Sequence, residues 1–443
     1  MKVRLLSFIC FIFCFSIFQQ VIAQEVNVKK LDSLFILLDT HQKFMGSVSL
    51  FREGQLVYSN AVGYVDTING RKATTDTRYR IGSITKTFTS VLVLQSVERG
   101  KLRLEDTLSK WFPQIKNASQ ITIRQMLCHR SGIVNFTNSP DYLQWNTKAQ
   151  AKDSILARIV QGGSSFEPGK KFEYSNSAYF LLGLILEKVN KTTYAKLLSK
   201  RIIRPLNLTQ TYYGGPIDIT ANECRSFVKD SVWRISGETD MSVPFAAGAL
   251  VSTPSDICLF ASALFEGRLL SKGSLKEMET LKENVGLGLF RFPFYGKAGY
   301  GHTGGIDGFQ TVFTYFPDEK VSYALFSNAS DFNNNDISIS ILKSVYGQDF
   351  SLPDFSIQSI DAADLANYLG VYANPRLPIK LTFTNNKGRL TSQATGQMAF
   401  ELDPSGVHTF RQDKYGIVIE FMPDKKQLTL RQGGQSFLFT KEE

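Results

Sequence analysis

Three short groups of residues in this chain combine types that can do covalent chemistry. The first is Ser83-Ile84-Thr85-Lys86, which opens a helical pattern running through Val91, Leu92, Leu94 and Val97 until Gly100 closes it. At a spacing of three, a hydroxyl and an amine share one helix face a turn apart. A serine hydroxyl is a weak nucleophile until a base takes its proton, and a desolvated lysine with a lowered pKa can be that base. The second group, Tyr174-Ser175-Asn176, follows the Pro168-Gly169 turn and enters an apolar helix read from Tyr179 to Val189. Its phenol could relay protons from Ser83 to a leaving group, and its carboxamide could fix a substrate amide. The third group is His302-Thr303-Gly304-Gly305, where glycines admit a ligand backbone and the imidazole titrates near neutrality.

None of these is distinctive alone. Ser-x-x-Lys also occurs at Ser226/Lys229 and Ser340/Lys343, and Tyr-x-Asn at Tyr58/Asn60 and Tyr372/Asn374. Asn176 reads equally well as a helix cap and Tyr174 as a wedge.

The elements around these groups set how they can meet. Asp32 to Leu38 reads as an amphipathic helix. Gly46 to Phe51 alternates, turns at Arg52-Glu53-Gly54-Gln55 and resumes at Leu56-Val57-Tyr58, which is a hairpin. Leu104 to Ile133 reads as broken helix ending at His129-Arg130-Ser131-Gly132. Gln310 to Phe316 and Val321 to Ser327 form a second hairpin directly after the glycine-rich group.

Composition narrows the class. The chain has 443 residues, 43% hydrophobic and 20% charged, which suits a globular protein of two or three domains. Residues 1–23 read as a secretory signal peptide: Lys2 and Arg4, an apolar core from Leu5 to Phe18, then Val21-Ile22-Ala23. The apolar run is short for a bilayer span, so no stable membrane insertion is expected after cleavage. Losing that segment lowers the net charge from +10 to +8, because it carries Lys2 and Arg4 and no acid. The remaining charge is scattered, without basic runs or interleaved aromatics, which argues against nucleic-acid binding. Cys128, Cys224 and Cys258 are odd in number and widely spaced, so no disulfide framework is expected. The four histidines, at 41, 129, 302 and 408, show no metal-ligand spacing, so neither a metal nor another cofactor is expected.

Taken in order, Ser83-x-x-Lys86, Tyr174-Ser175-Asn176 and His302-Thr303-Gly304, separated by 91 and 128 positions, resemble the penicillin-recognising serine hydrolases. The similar branch contains class C beta-lactamases, D-Ala-D-Ala peptidases and esterases, and the likeness spans about residues 35 to 345. The resemblance implies an α+β fold (an α/β sandwich): an antiparallel sheet flanked by helices, with an all-helical subdomain from about Leu102 to Val243. It implies Ser83 as the acylated nucleophile, Lys86 as its activator and Tyr174 as proton relay. Asn176, His302, Gly304 and Gly305 would contact substrate, with the backbone N–H groups of Ser83 and Gly305 as the oxyanion hole. Class C lactamases resemble Lys-Thr-Gly at the third motif, whereas this chain has His302. Near its unperturbed pKa of ~6.5 a histidine is only partly charged, which weakens the expectation of carboxylate recognition and of beta-lactam turnover.

Beyond Val345 the text changes. The domain reading is 1–23 signal peptide, 24–347 hydrolase domain, 348–360 linker and 361–443 a small β domain. Short strands at Ile379–Thr384, Arg389–Ser392, His408–Arg411, Ile417–Phe421, Gln427–Arg431 and Ser436–Phe439 favour a small antiparallel barrel, which resembles lipocalin-like tails of this family. The expectation is a periplasmic or secreted serine hydrolase acting through an acyl-enzyme on D-amino-acid peptides, beta-lactams or small esters, with small-molecule or cell-wall-derived peptide substrates. The alternative is a penicillin- or peptidoglycan-peptide-binding sensor on the same scaffold.

Overall fold

The computed structural model describes residues 26–230, 232–356, 358 and 364–442. The signal-peptide reading of residues 1–23 lies outside the described residues. In chain order, the elements that build or support the candidate site are α1 (Val28–Thr40), β1 (Phe44–Arg52), β2 (Gln55–Val62), α2 (Thr85–Glu98), α3 (Ile123–Leu127), α4 (Asn176–Asn190) and α5 (Pro254–Phe265). They continue with β3 (Phe290–Phe294), β4 (Lys297–Ile306), β5 (Phe309–Phe316), β6 (Val321–Ser330) and α6 (Asn334–Val345).

The main sheet is antiparallel, in the order β3-β4-β5-β6-β1-β2. The first hairpin therefore joins the last through β1 and β6, in a register that sets Val48 against Leu325. Glu53 and Gly54, both at positive φ, make the tight β1–β2 turn, a geometry that suits the twist of the strands. Helices cover both faces, so β1 and β6 are buried almost throughout instead of alternating. On one face Leu31, Leu34, Phe35 and Leu38 of α1 share a core with Val48, Leu50, Ile337 and Ile341. On the other, Ser47 and Ser49 leave room for α5. Ser49 Oγ lies 2.8 Å from Ser255 Oγ, and Cys258 Sγ donates to the Ser49 carbonyl.

The region from Leu102 to Val243 is mainly helical but also carries short strands, among them Tyr212–Tyr213 and the pair Phe227–Lys229 and Trp233–Ile235. The broken-helix reading of Leu104 to Ile133 needs correction. Only α3 and a 3-10 turn at Leu108–Lys110 are helical there. Long-range backbone bonds, such as Leu108 N–H to Ile121 O and Arg124 N–H to Leu104 O, replace local helical ones.

The C-terminal domain is a nine-stranded meander: β7 (Gly370–Ala373), β8 (Lys380–Asn386), β9 (Arg389–Ala394), β10 (Phe400–Glu401), β11 (Asp403–Gly406), β12 (Thr409–Gln412), β13 (Ile417–Met422), β14 (Gln427–Gln432) and β15 (Gln435–Lys441). Its order is β10-β9-β8-β7-β15-β14-β13-β12-β11. The two edge strands are separated in sequence by Leu402 alone, so the sheet curls into a nearly closed barrel around Tyr372, Phe383, Phe410, Phe421 and Phe439. The edge strands β10 and β11 were absent from the sequence reading.

The barrel docks on the N-terminal part of the chain through Asp413, whose carboxylate pairs with Lys43 at 2.7 Å and whose carbonyl accepts from Asn333 N–H at 2.9 Å. The stretch read as a linker is partly structural. Phe350 and Phe355 are buried in the core that α1 and α6 share, because a phenylalanine gains more from that contact than from solvent.

Candidate functional site

Ser83 sits in a 3-10 turn at Gly82–Ile84 that runs into α2. The approach is tight. Gly82 has φ +50, and a Cβ there would stand 2.9 Å from Gly305 N, so the turn needs glycine to lie against β4. Gly304 has the same constraint, since its Cβ position lies 2.0 Å from the Ile81 carbonyl oxygen. The glycine-rich third group is thus the end of strand β4 pressed on the Ser83 turn, and Gly305 lines the cleft beside Ser83.

Lys86 is wholly buried, in the first turn of α2, and its Nζ faces three oxygens. Ser83 Oγ lies at 2.9 Å, Asn176 Oδ1 at 2.7 Å and the Ala247 carbonyl at 2.7 Å. Burial holds the lysine pKa well below its ordinary range, favouring the neutral amine. The Asn176 and Ala247 oxygens can only accept, so they take the two N–H bonds of that amine. Ser83, the one partner able to donate, then faces the lone pair. Such an amine can accept the serine proton.

Tyr174 closes the other side. Its ring lies 4.9 Å from Lys86 Nζ, and it lines the same recess as Ser83. Burial raises the phenol pKa far above its usual value, so Tyr174 carries its proton at neutral pH. Ser175, not Asn176, caps α4, its Oγ accepting from Ala178 N–H. Asn176 is instead the first helical residue, with Nδ2 donating to Thr137 Oγ1 at 3.0 Å while Oδ1 holds Lys86. Both ends of its carboxamide are therefore engaged with the protein.

His302 departs most from expectation. It is 1% exposed, and its Nδ1 lies 2.5 Å from the Thr303 carbonyl, which requires the proton on Nδ1. Burial pushes its pKa down to about 3 against the small opposing pull of the Thr303 carbonyl. A neutral His302 cannot serve as a pH-dependent cation between pH 5 and 9. Burial thus works further against carboxylate recognition by His302.

Two recesses meet at Ser83. One is a cleft of ~500 Å³ floored by Ser83, Asn176 and Gly305 and walled by Phe136, Tyr142, Asn146 and Asp307. Its far wall is fixed by Arg80, wholly buried, which binds Asp307 at 3.3 Å, Glu238 at 2.8 Å and the Thr239 carbonyl at 2.7 Å. The other recess runs past Phe172, Tyr174, Phe290 and His302, and its exposed Arg291 is the single Arg or Lys lining either recess. Arg291 and Thr137 carry no local sequence signal and were not found by reading the sequence. His129 lies in a turn that the sequence reading named without assigning it a role. Among the described residues no group of three His, Cys, Asp or Glu could hold a metal ion. Cys128, Cys224 and Cys258 are free thiols, the last two buried.

This arrangement has known counterparts. The chain is 26% identical over 433 residues to a penicillin-binding protein of Bacillus subtilis strain 168, covering 89% of this chain and 93% of that one. An octameric penicillin-binding protein homologue from Pyrococcus abyssi shares the fold, at a TM-score of 0.68 and 23% identity, over 94% of this chain and all of that one. D-amino acid amidase from Ochrobactrum anthropi SV3 superposes at a TM-score of 0.65 with 28% identity, over 72% of this chain and 99% of the amidase. Residues 31–344 match the Beta-lactamase family, and this chain belongs to that family of serine acyl-transferring and hydrolysing proteins.

Proposed function

We propose that this protein is an exported serine hydrolase that cleaves amides or peptides of D-amino acids through an acyl-enzyme on Ser83. The observation that carries this reading is the buried Lys86 amine, 2.9 Å from Ser83 Oγ and held by Asn176 and Ala247. Similarity to a D-amino acid amidase and to a penicillin-binding protein supports the substrate class.

In the acylation step Lys86 takes the Ser83 hydroxyl proton as Oγ bonds to the substrate carbonyl carbon. The developing oxyanion lies against the Ser83 and Gly305 backbone, where N–H donors are worth about 10²–10³ in rate. When the C–N bond breaks, the Tyr174 phenol gives its proton to the departing nitrogen and regains one from the Lys86 ammonium. Water then adds to the ester carbonyl, passes a proton through the same pair and releases the acid, restoring Ser83. Arg291 is the cation available to a substrate carboxylate. The basic n-region and apolar core of residues 1–23 support a periplasmic or secreted location.

Intact-mass spectrometry of the mature chain with D-phenylalanine amide and with a penicillin tests this reading. The expected result is an acyl adduct mapped to Ser83 that forms and decays with release of product. An adduct on Ser83 that persists without turnover would instead make the protein a penicillin- or peptide-binding sensor. No adduct with either compound would remove Ser83 as nucleophile.

A further inference from the structure

His129 touches neither Ser83 nor Lys86 by any hydrogen bond, yet it grips Tyr174 from three directions. Its carbonyl oxygen accepts from Glu173 N–H at 2.9 Å, and its Nδ1 accepts from Ser175 N–H at 3.2 Å. Between those contacts its ring stacks on the Tyr174 ring, with centroids 4.2 Å apart and planes 30° apart. The backbone on either side of Tyr174 and the phenol ring itself are thus held by one residue. His129 does this in the left-handed region, at φ +56, which non-glycine residues adopt only when their surroundings demand it.

We propose that His129 is a positioning residue that aims the Tyr174 hydroxyl at Ser83 and at the departing group, and that it works only as the neutral Nε2–H tautomer. The proposal rests on the reading of Tyr174 as proton donor. An imidazole nitrogen that accepts from an amide N–H carries no proton, so the proton resides on Nε2. Protonating Nδ1 would replace an acceptor with a donor pointed at the Ser175 N–H and break the grip. The surroundings oppose that protonation. Burial lowers the His129 pKa well below its ordinary value, and a proton on Lys86 of α2 or on His302 of β4 would lower it further. The other titratable groups around it are Tyr174 and Glu173 on the approach to α4, Tyr179 on α4, and Cys128 and Arg130 beside it in the chain. Among the described residues Nε2–H has no hydrogen-bond partner although it is buried, which is costly for a polar group. A purely structural core residue of this size would be better apolar, which argues that the Nδ1 acceptor is the feature retained.

Two substitutions that both tolerate positive φ separate the acceptor from general packing. His129→Gly removes ring and acceptor, whereas His129→Asn restores an acceptor oxygen near the Nδ1 position. Values of kcat/KM are compared for D-phenylalanine amide and for the p-nitrophenyl ester of the same acyl group, in the full mature chain. An amine must be protonated to leave, and p-nitrophenolate need not be, so a misaimed Tyr174 harms the amide selectively. The expected result is a loss of about 30- to 100-fold on the amide for Gly, within the range of general acid catalysis, with less than about threefold on the ester. Asn is expected to recover about tenfold of the amide loss. Equal losses on both substrates, or no recovery in an Asn variant that unfolds within a few degrees of wild type, would overturn the proposal. Tyr174→Phe is the internal standard. If it leaves the amide-to-ester ratio unchanged, the proton-donor reading fails and His129 falls with it. If it shifts the ratio while the His129 variants do not, the positioning role alone is wrong.

Discussion

The side-chain nitrogen of Lys86 lies 2.7 Å from the carbonyl oxygen of Ala247, a residue 161 positions further along the chain. That contact takes one N–H, Asn176 takes the other, and the lone pair is left to Ser83. The geometry makes nucleophile and base a single unit whose parts cannot be weakened independently.

Ser83→Ala is expected to lower kcat/KM on D-amino-acid amides by about 10³-fold or more, and Lys86→Met by nearly as much, because the unit fails when either part is lost. Both variants should keep the wild-type unfolding temperature to within a few degrees. Steady-state kinetics with a thermal melt checks this, and more than a tenth of wild-type activity in Ser83→Ala would remove it as nucleophile.

Activity should fall toward acid pH, since protonating Lys86 removes the base and its pKa lies well below the usual lysine value. His302 should add no step near pH 6.5 to substrate affinity, because its pKa sits at about 3. Arg291→Ala is expected to raise KM about tenfold, ~1.4 kcal/mol, for a carboxylate-bearing substrate and to leave neutral amides unchanged. His302→Lys should harm both substrate types, since it would bury a cation beside the Lys86 amine. A pH profile from 5 to 9 on the two substrate types decides. A gain on carboxylates alone in His302→Lys would restore the anion-binding role.

His302 is buried neutral and titrates at about 3 in the fold but near ~6.5 when unfolded. A base whose folded pKa is depressed contributes its stability above the unfolded value and loses it as pH falls. Stability should therefore be flat above about pH 7 and decline from ~6.5 toward 3, by up to about 1.4 kcal/mol per pH unit from this group. Urea unfolding of wild type and His302→Asn at pH 7.5 and 5 measures the slope, which should be shallower in the variant.

Truncation after Gln348 is expected to give poorly soluble protein, because it removes Phe350 and Phe355 from the core beneath α1 and α6. Truncation after residue 358 keeps both rings and should give a folded hydrolase domain lacking only the barrel. Soluble yield and thermal unfolding of the two pieces test this, and equal behaviour would mean that the two rings contribute little.

How much of this was legible beforehand follows the range of the interactions. The hairpins, the Ser83 helix and the three groups in order could be read because alternation, turn residues and i, i+3 spacing are local. Local spacing could not tell which copy of each motif matters; only the order of the three groups, through the family resemblance, pointed to these. Tyr58 and Asn60 spend themselves on Asp32, at 2.9 and 3.0 Å. Ser340 bonds back to the Asp336 carbonyl on its own helix, Ser226 accepts from Gly308 N–H, and Lys229 pairs with Asp331. Tyr372 packs in the barrel core. Only Ser83, Lys86, Tyr174 and Asn176 converge.

The sequence alone determined the residue types, their order and the two kinds of domain, since these follow from composition and local periodicity. The tertiary structure decided the charge state of each group. Burial removes the water that would stabilise the charged forms of Lys86 and His302 and so lowers the pKa of both. Burial is set by residues 161 or more positions apart, such as Gly82 against Gly305 and Lys86 against Ala247, and no local pattern encodes which distant atoms will exclude the solvent.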